Sequence, residues 1–458
     1  MRKMHRFLLL LVSLSLPALS QLPAFPGAQG FGSTTPGGRG GAIIEVLNLN
    51  NNGPGSFREA CAAAGPRIVV FRTGGTIVLY TPVRIENPYL TIAGQSAPGG
   101  GICLSGAPLE IKTHDVIIRS LRFRPGDIPE GSDPLDRDGL LIRAFDSTPQ
   151  NIIIDHCSIS WGVDENASTW RQVRDVTFQW CIISEGLQNS IHPEGAHSMG
   201  LLIGRNLSKQ ISVHHTLFAH NYARNPVAQG ATEVEVINNV VYNWGNRGTE
   251  IGEEQGIANS RANVIGNVYK PGVNTVNNQK GIFSKPGTGS LIYVKDNLGP
   301  GRPLNSGDDW LAVWGNTASR VNSPALTPSG ISITPVEEAF DMVLDFAGAL
   351  APQRDAVDAR VVGEVRSGSG QIIDSQNDVG GWPLLAAGTP LPDSDRDGMP
   401  DDWELLRGLN PNDPADGPGD LDGDGYTNVE EYLNSLIPWP PSFSSPPAVP
   451  GNLRVSGE

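Results

Sequence analysis

Three short segments of this 458-residue chain carry acidic and cationic side chains at spacings that can do chemistry. Asp136 and Asp138 stand two apart just before the apolar run Leu140-Leu141-Ile142, so a strand entered there would carry both carboxylates on one side. The acidic pair Asp164-Glu165 follows the next such run through Ser160-Trp161-Gly162-Val163, and Arg224-Asn225-Pro226 follows the run around Val213. If these segments lie on consecutive turns of one fold, their oxygen atoms suit calcium, and the guanidinium beside them suits a carboxylated substrate. Plainer readings stay open: Asp136 and Asp138 as turn residues of a Pro-Asp-rich loop, and Arg224 as a tie between neighbouring segments.

A second acidic group is more regular. In Asp393-Ser394-Asp395-Arg396-Asp397-Gly398-Met399-Pro400-Asp401-Asp402-Trp403-Glu404, oxygen ligands fall at loop positions 1, 3, 5, 9 and 12 (Asp393, Asp395, Asp397, Asp401, Glu404), with glycine at 6. The segment from Asp420 to Glu431 repeats the arrangement with Asp420, Asp422, Asp424, Asn428 and Glu431. A solvated acidic linker has no need of glycine at position 6 or glutamate at position 12, so calcium binding is expected at both loops. Of the formal charge of −15, the stretch from Asp393 to Glu431 holds thirteen acidic residues against Arg396 and Arg407, leaving the rest of the chain near neutral and free to bind an acidic polymer.

The elements that must position these residues are signalled by a recurring pattern of branched apolar residues closed by a turn residue. Its units centre on Ile92, Ile118, Ile154, Phe178, Val213, Val236, Val264 and Val294, at spacings of 26, 36, 24, 35, 23, 28 and 30. Each unit is strand-length and β-branched with no helical stripe, which predicts an all-β chain wound as a parallel β-helix, with function on its outer face and loops. The 55 glycines and 37 prolines leave little room for helices. Asn239, Asn267 and Asn297 should stack at one turn position, where their amides bond each other and the left-handed backbone that asparagine tolerates is used. Cys157 and Cys181 share a repeat position one coil apart, as a disulfide or as two buried thiols, while Cys61 and Cys103 are undecided.

The remaining organisation is read from composition. Residues 1–20 resemble a secretory signal, with Arg2, Lys3 and Arg6 before an apolar run and a small-residue end, so the protein is expected outside the cell, soluble or surface-attached. No later run is of membrane-spanning length, and nothing points to nucleic acid or to more than a single copy. The expected divisions are a β-helix over 21–385, tandem calcium loops over 391–436, and a loosely packed Pro/Ser-rich linker over 437–458, whose last stretch resembles the first strand of a fibronectin type III module.

The catalytic segments resemble polysaccharide lyase family 1, the pectate lyases. So do Phe25-Pro26-Gly27-Ala28-Gln29-Gly30-Phe31-Gly32, Gly37-Gly38-Arg39-Gly40-Gly41, Asp155-His156-Cys157-Ser158 and Val240-Val241-Tyr242-Asn243, over roughly residues 22 to 300. The resemblance implies a right-handed parallel β-helix that cleaves galacturonan by β-elimination. It also implies Asp136, Asp138 and Asp164, with Glu165 beside them, as ligands of an active-site calcium, and Arg224 as the base that removes the C5 proton; a charged Arg224 that clamps the carboxylate and stabilises the enolate, with another group taking the proton, stays open beside that. Asp155 and His156 are expected to fix the coil. The family's second arginine is Gln229 here, and no lysine occurs from Thr113 to Ser208, so Gln229, His192, His197 and Arg205 are the candidate substrate contacts. For each histidine a core or turn role is an equal alternative, and His214 and His215 read as ladder or surface residues. The calcium loops resemble dockerin and thrombospondin type 3 modules. Two rival functions remain: a β-helix polygalacturonate hydrolase using paired carboxylic acids, and a secreted glycan-binding β-helix without catalysis.

Overall fold

The eight repeat units fall on one sheet in one register. Ile92 pairs with Ile118, Ile118 with Ile154, Ile154 with Phe178, Phe178 with Val213, Val213 with Val236, Val236 with Val264, and Val264 with Val294. The computed structural model describes residues 21–440 apart from 205–206, 258, 277–279 and 286–288, so the proposed signal segment and the tail beyond 440 lie outside the described residues. The chain is a parallel β-helix, with three sheets of eleven, eight and nine strands among the described residues. A typical coil runs from the first sheet through a tight turn to the second, then through a longer loop to the third, as in Val116–Arg119, Arg122–Phe123 and Leu140–Arg143.

Stacking follows from that register. Inward apolar side chains, Ile118, Ile154, Phe178 and Val213 among them, form one continuous buried core. At the turn after the first sheet, Asn239 Nδ2 donates to Asn267 Oδ1 at 2.9 Å, and Asn267 Nδ2 donates to Asn297 Oδ1 at 2.8 Å. The left-handed backbone lies one residue earlier than expected, at Asn238, Gly266 and Asp296, so the stacked asparagines act through their amides and not through their backbone angles. Cys157 and Cys181 are free, buried thiols, as are Cys61 and Cys103. Asp155 does fix the coil, accepting from His156 Nδ1 at 2.8 Å and from Arg119 Nε at 2.9 Å. His214 and His215 are both fully buried, His214 ending the strand Lys209–His214 and His215 turning just past it with φ 50°.

Three features depart from the expected divisions. Helices Val336–Phe346 and Ala356–Ser367 follow the last coil and cover the second sheet, burying Ile182, Leu217, Val240 and Tyr242 against Val343, Leu344, Val361 and Val365. Their apolar residues recur at helical spacing (Val336, Ala339, Val343), a local signal that bulk glycine and proline counts average away. The calcium-loop segment is not a detached module: Met399, Val429 and Leu433 pack on Ile68, Val70 and Ala93 of the first sheet. Arg39–Glu430 at 3.0 Å and Arg72–Asp393 at 3.5 Å add ion pairs across that contact. Trp439, expected in a loose linker, instead stands edge-on to His156 at 4.8 Å and lies 6.2 Å from Phe25. Among the described residues no helix is long and apolar enough to cross a membrane.

Candidate active site

Asp136, Asp138, Asp164, His192, His197 and Arg224 lie in loops that lead from the second sheet to the third, while Glu165 and Gln229 stand in third-sheet strands. The third-sheet strands Leu140–Arg143, Glu165–Trp170, Met199–Gly204 and Val227–Gln229 pair in that order, preceded respectively by Asp138, Asp164, the loop of His192 and His197, and Arg224. The three candidate segments are therefore not on consecutive coils. The coil carrying the two histidines lies between Asp164 and Arg224, because the sequence reading skipped a coil whose loop has no acidic pair.

Asp138 is buried, accepts from Ser168 Oγ at 2.5 Å, and lies close enough to Asp164 and Glu165 for one ion to take an oxygen from each. Burial and then the Asp164 charge push its carboxyl well above the usual range, and burial pushes Asp164 up too, against the pull of His197 and Arg224. Asp136 is not part of this cluster. It ends a short 3-10 turn, its side chain mostly exposed and 3.5 Å from Arg143, since that turn, Pro134–Asp136, breaks the strand alternation that would have aligned it with Asp138. Glu165 forms an ion pair with Arg224. Arg224 has a left-handed backbone, φ 62°, held by the Leu201 amide donating to its carbonyl at 2.7 Å. Desolvation lowers its proton affinity, while Asp164, Glu250 and Asp138 work against that.

A chain of buried amides sets the arginine loop against the acidic one. Asn166 Nδ2 donates to Asn221 Oδ1 at 2.9 Å, Asn221 Nδ2 to Asn225 Oδ1 at 3.0 Å, and Asn225 Nδ2 to the Arg247 carbonyl at 3.1 Å. His197 and His192 Nε2 face Asp164 Oδ1 at 3.5 and 3.8 Å, and burial, then His197, lower the His192 pKa. Gln229 lines the groove and accepts from Lys285 Nζ at 2.6 Å, while Arg205 lies outside the described residues. The groove, about 570 Å³, is completed by side chains that the sequence reading did not assign: Arg143, Phe145, Trp170 and Arg171. Arg143 and Arg171 stand 5.0 and 4.7 Å from the half-exposed ring of Phe145. Arg143 was visible at the end of the Asp136 segment, but Phe145 and Arg171 belong to no repeat, and only the coil stacking joins them.

Close relatives decide the family. The chain is 36% identical over 431 residues to the "Probable pectate lyase C" of Aspergillus oryzae, covering 92% of this chain and 95% of that protein. It is 37% identical over 432 residues to the protein of the same name from Aspergillus terreus, covering 92% and 96%. The chain belongs to the pectate lyase family. No protein-family model matches it. Solved pectate lyases share the fold of this family member: one bound to a hexasaccharide aligns at TM-score 0.51 and 16% identity over 72% of this chain and 98% of its own. A Bacillus subtilis variant aligns at 0.50 and 16% over 72% and 99%.

The two acidic loops of this pectate lyase relative fold alike. At position 1, Asp393 accepts from the Arg396 and Gly398 amides, and Asp420 from those of Gly423 and Gly425. At position 9, Asp401 and Asn428 turn back to the amides of Ser394 and Leu421 at 2.7 and 3.1 Å, so both brace the loop instead of reaching its centre. The place left open in the first loop goes to Asp416, a residue the spacing rule misses, which groups with Asp397 and Glu404. Asp393, Asp395 and Asp397 form one carboxylate group and Asp420, Asp422 and Asp424 another. Burial and mutual repulsion push Glu404 up to about 8 and Asp397 and Glu431 up to about 7. Both Glu404 carboxylate oxygens are buried without a hydrogen-bond partner, as is Asp397 Oδ2. Such oxygens are costly unless a cation takes them.

Proposed function

We propose that this chain is a secreted pectate lyase that cleaves α-1,4-linked galacturonan by calcium-assisted β-elimination, releasing 4,5-unsaturated oligogalacturonides. The observation that carries the reading is Arg224, held against Glu165 in the groove where Asp138 and Asp164 converge. Family membership narrows the substrate to an acidic polysaccharide, and the hexasaccharide-bound relative shares the fold.

The donors fit a hard dication. Asp138 and Asp164 are oxygen ligands whose burial makes them poor carboxylates without a counter-charge, and Glu165 completes an all-oxygen set. Calcium held by Asp138, Asp164 and Glu165 would supply positive charge to the uronate carboxylate next to C5, making that proton more acidic, and would offset the acidic neighbours of Arg224. Arg224 takes the C5 proton: loss of solvation lowers the guanidinium's proton affinity, and Glu165 keeps its fork pointed into the groove. The C5–H electrons form the C4=C5 double bond as the C4–O bond breaks, and the departing oxygen takes a proton from water. His197 and Gln229 border the groove as substrate contacts, with His192 buried behind His197, and the rim guanidiniums Arg143 and Arg171 suit the carboxylates of neighbouring uronates. In the C-terminal loops calcium is structural, satisfying Glu404, Asp397 and Asp416. Export rests on the N-terminal charge and apolar pattern.

One assay tests this. Polygalacturonate is incubated with the protein, with and without chelator, and ultraviolet absorbance of the unsaturated product is followed. Calcium-dependent absorbance is expected. New reducing ends without unsaturation would replace the lyase by a hydrolase, and retention on the polymer without cleavage would make it a binding protein.

A further inference from the structure

The groove is short of positive charge for a polymer of uronates. Its lining holds six carboxylates and three guanidiniums among the described residues, and two of those three, Arg143 and Arg171, stand against one ring, Phe145, at 5.0 and 4.7 Å. A lone half-exposed aromatic is ordinary on a protein surface. Phe145, 49% exposed, differs because two like charges gather on it, and they repel unless the ring and other contacts hold them. Both arginines are also fixed from behind. Arg143 Nε donates to Glu110 Oε1 at 2.6 Å, and Arg143 Nη1 faces Asp136 Oδ2 at 3.5 Å. Glu110 is buried and accepts from Arg84 Nε as well, at 2.9 Å. Arg171 is exposed and has a left-handed backbone, φ 68°, its carbonyl accepting from the Val173 amide and from Ser208 Oγ, each at 2.8 Å.

We propose that Arg143, Phe145 and Arg171 form a subsite for one uronate of the polymer remote from the bond being cut, with its carboxylate held by the two guanidiniums and its C–H groups against the exposed part of Phe145. Guanidinium forks match a carboxylate, and the aromatic ring supplies apolar contact while keeping the forks apart. Remoteness follows from the coil positions. Asp138, Asp164 and Arg224 precede their third-sheet strands, whereas Arg143 ends the strand Leu140–Arg143, Phe145 lies beyond it, and Arg171 follows the strand Glu165–Trp170. Along the stack, Leu140–Arg143 is three strand steps from Val227–Gln229, the strand that Arg224 precedes, or about 14 Å at the usual strand spacing. A sugar ring seated at Phe145 is therefore not the ring whose C5 proton faces Arg224. A polymer long enough to reach from one place to the other gains the remote contact, and a shorter one does not. The inference rests on the reading of the groove as a site for a uronate polymer, and it names the residues that reward chain length.

The test uses the full chain and oligogalacturonates of increasing length, with unsaturated product followed at saturating calcium. In the parent, kcat/KM should step up by about tenfold, through KM more than kcat, at the length that reaches Phe145. In Arg171→Asn, which suits a left-handed backbone, and in Phe145→Ala, the step should fall to about threefold or less. Phe145→Tyr should keep most of it, and melting temperatures check folding; Arg171 is exposed, so its variant carries the test if Phe145→Ala does not fold. A second arm measures retention on immobilised polygalacturonate in chelator at about pH 5.5, where the C-terminal loops keep their order and calcium contributes nothing. Both variants should be retained less than the parent, and none should be retained on a neutral galactan. A parent without a length step, or a step and a retention unchanged in the folded variants, overturns the subsite and leaves the lyase reading standing. A parent that makes no unsaturated product at any length defeats the lyase reading instead. Retention then decides the subsite by itself, weaker retention of the variants supporting it and equal retention overturning it.

Discussion

Replacing Arg224 by lysine separates the role of its charge from that of its planar fork. The Arg224 side chain is 28% exposed and Glu165 6%, so a lysine can still reach the same carboxylate and keep the ion pair. For a partly exposed pair that survives in altered form, the stability change should be about 1 kcal/mol or less. Turnover should behave differently. A positioned group that takes a proton in the transition state contributes typically 10²- to 10⁴-fold, about 3–5 kcal/mol, and lysine offers one donor direction where arginine offers a fork. The expected result is a fall of that size in kcat on polygalacturonate, followed by product absorbance at saturating calcium, with KM changed little and a thermal transition close to the parent's. An R224K enzyme within threefold of the parent kcat would refute the assignment of proton removal to Arg224. A parallel collapse of the thermal transition would show instead that the arginine mainly holds the coils together.

Other consequences are more direct. Asp138→Asn removes a formal charge from the all-oxygen cluster, so the calcium concentration for half-maximal activity should rise by about tenfold or more, and an unchanged requirement would put the ion elsewhere. In the ion-free loops Glu404 is raised from 4.5 to about 8, and Asp397 from 3.8 to about 7. Raised carboxyl pKa values stabilise the fold fully only below the unfolded values near 4, and that stability is lost as pH rises through 7 to 8. Chelator-treated protein should therefore lose order around Trp403 between about pH 6 and 8.5 while calcium-loaded protein does not, as read by tryptophan fluorescence melts. A chain ending after residue 389 keeps the 386–387 backbone on the N-terminal coils but uncovers Ile68, Val70 and Ala93. It should remain a calcium-dependent lyase with a melting temperature lower by roughly 5–10 °C. Loss of all activity in a folded truncation would make the C-terminal loops part of the active unit.

The coil repeat, the buried core and the stacked asparagines were legible because each is a local rule applied again and again. A β-branched run pairs with the next at constant register, so the recurring unit predicts every strand partner from Ile92 to Val294 although its spacing varies. The tandem acidic loops were legible for the same reason, since ligands and glycine lie within twelve residues of one another. The candidate site was only half readable. Asp138, Asp164, Glu165 and Arg224 were found by residue type, but Asp136 falls away to the rim because a one-turn 3-10 segment resets its direction.

The sequence by itself determined which side chains face inward in eight of the stacked units and which loops carry carboxylates, because these depend on neighbours in the chain, whereas the first sheet has eleven strands. Only the tertiary structure decided that a histidine-bearing coil separates Asp164 from Arg224, that Asp416 joins Glu404, that Arg143 and Arg171 flank Phe145, and that Met399 and Val429 seat the acidic loops on Ile68 and Val70. Those contacts join residues whose separation in sequence is set by loop length, and loops of four to sixteen residues open onto the same groove without leaving any period to read.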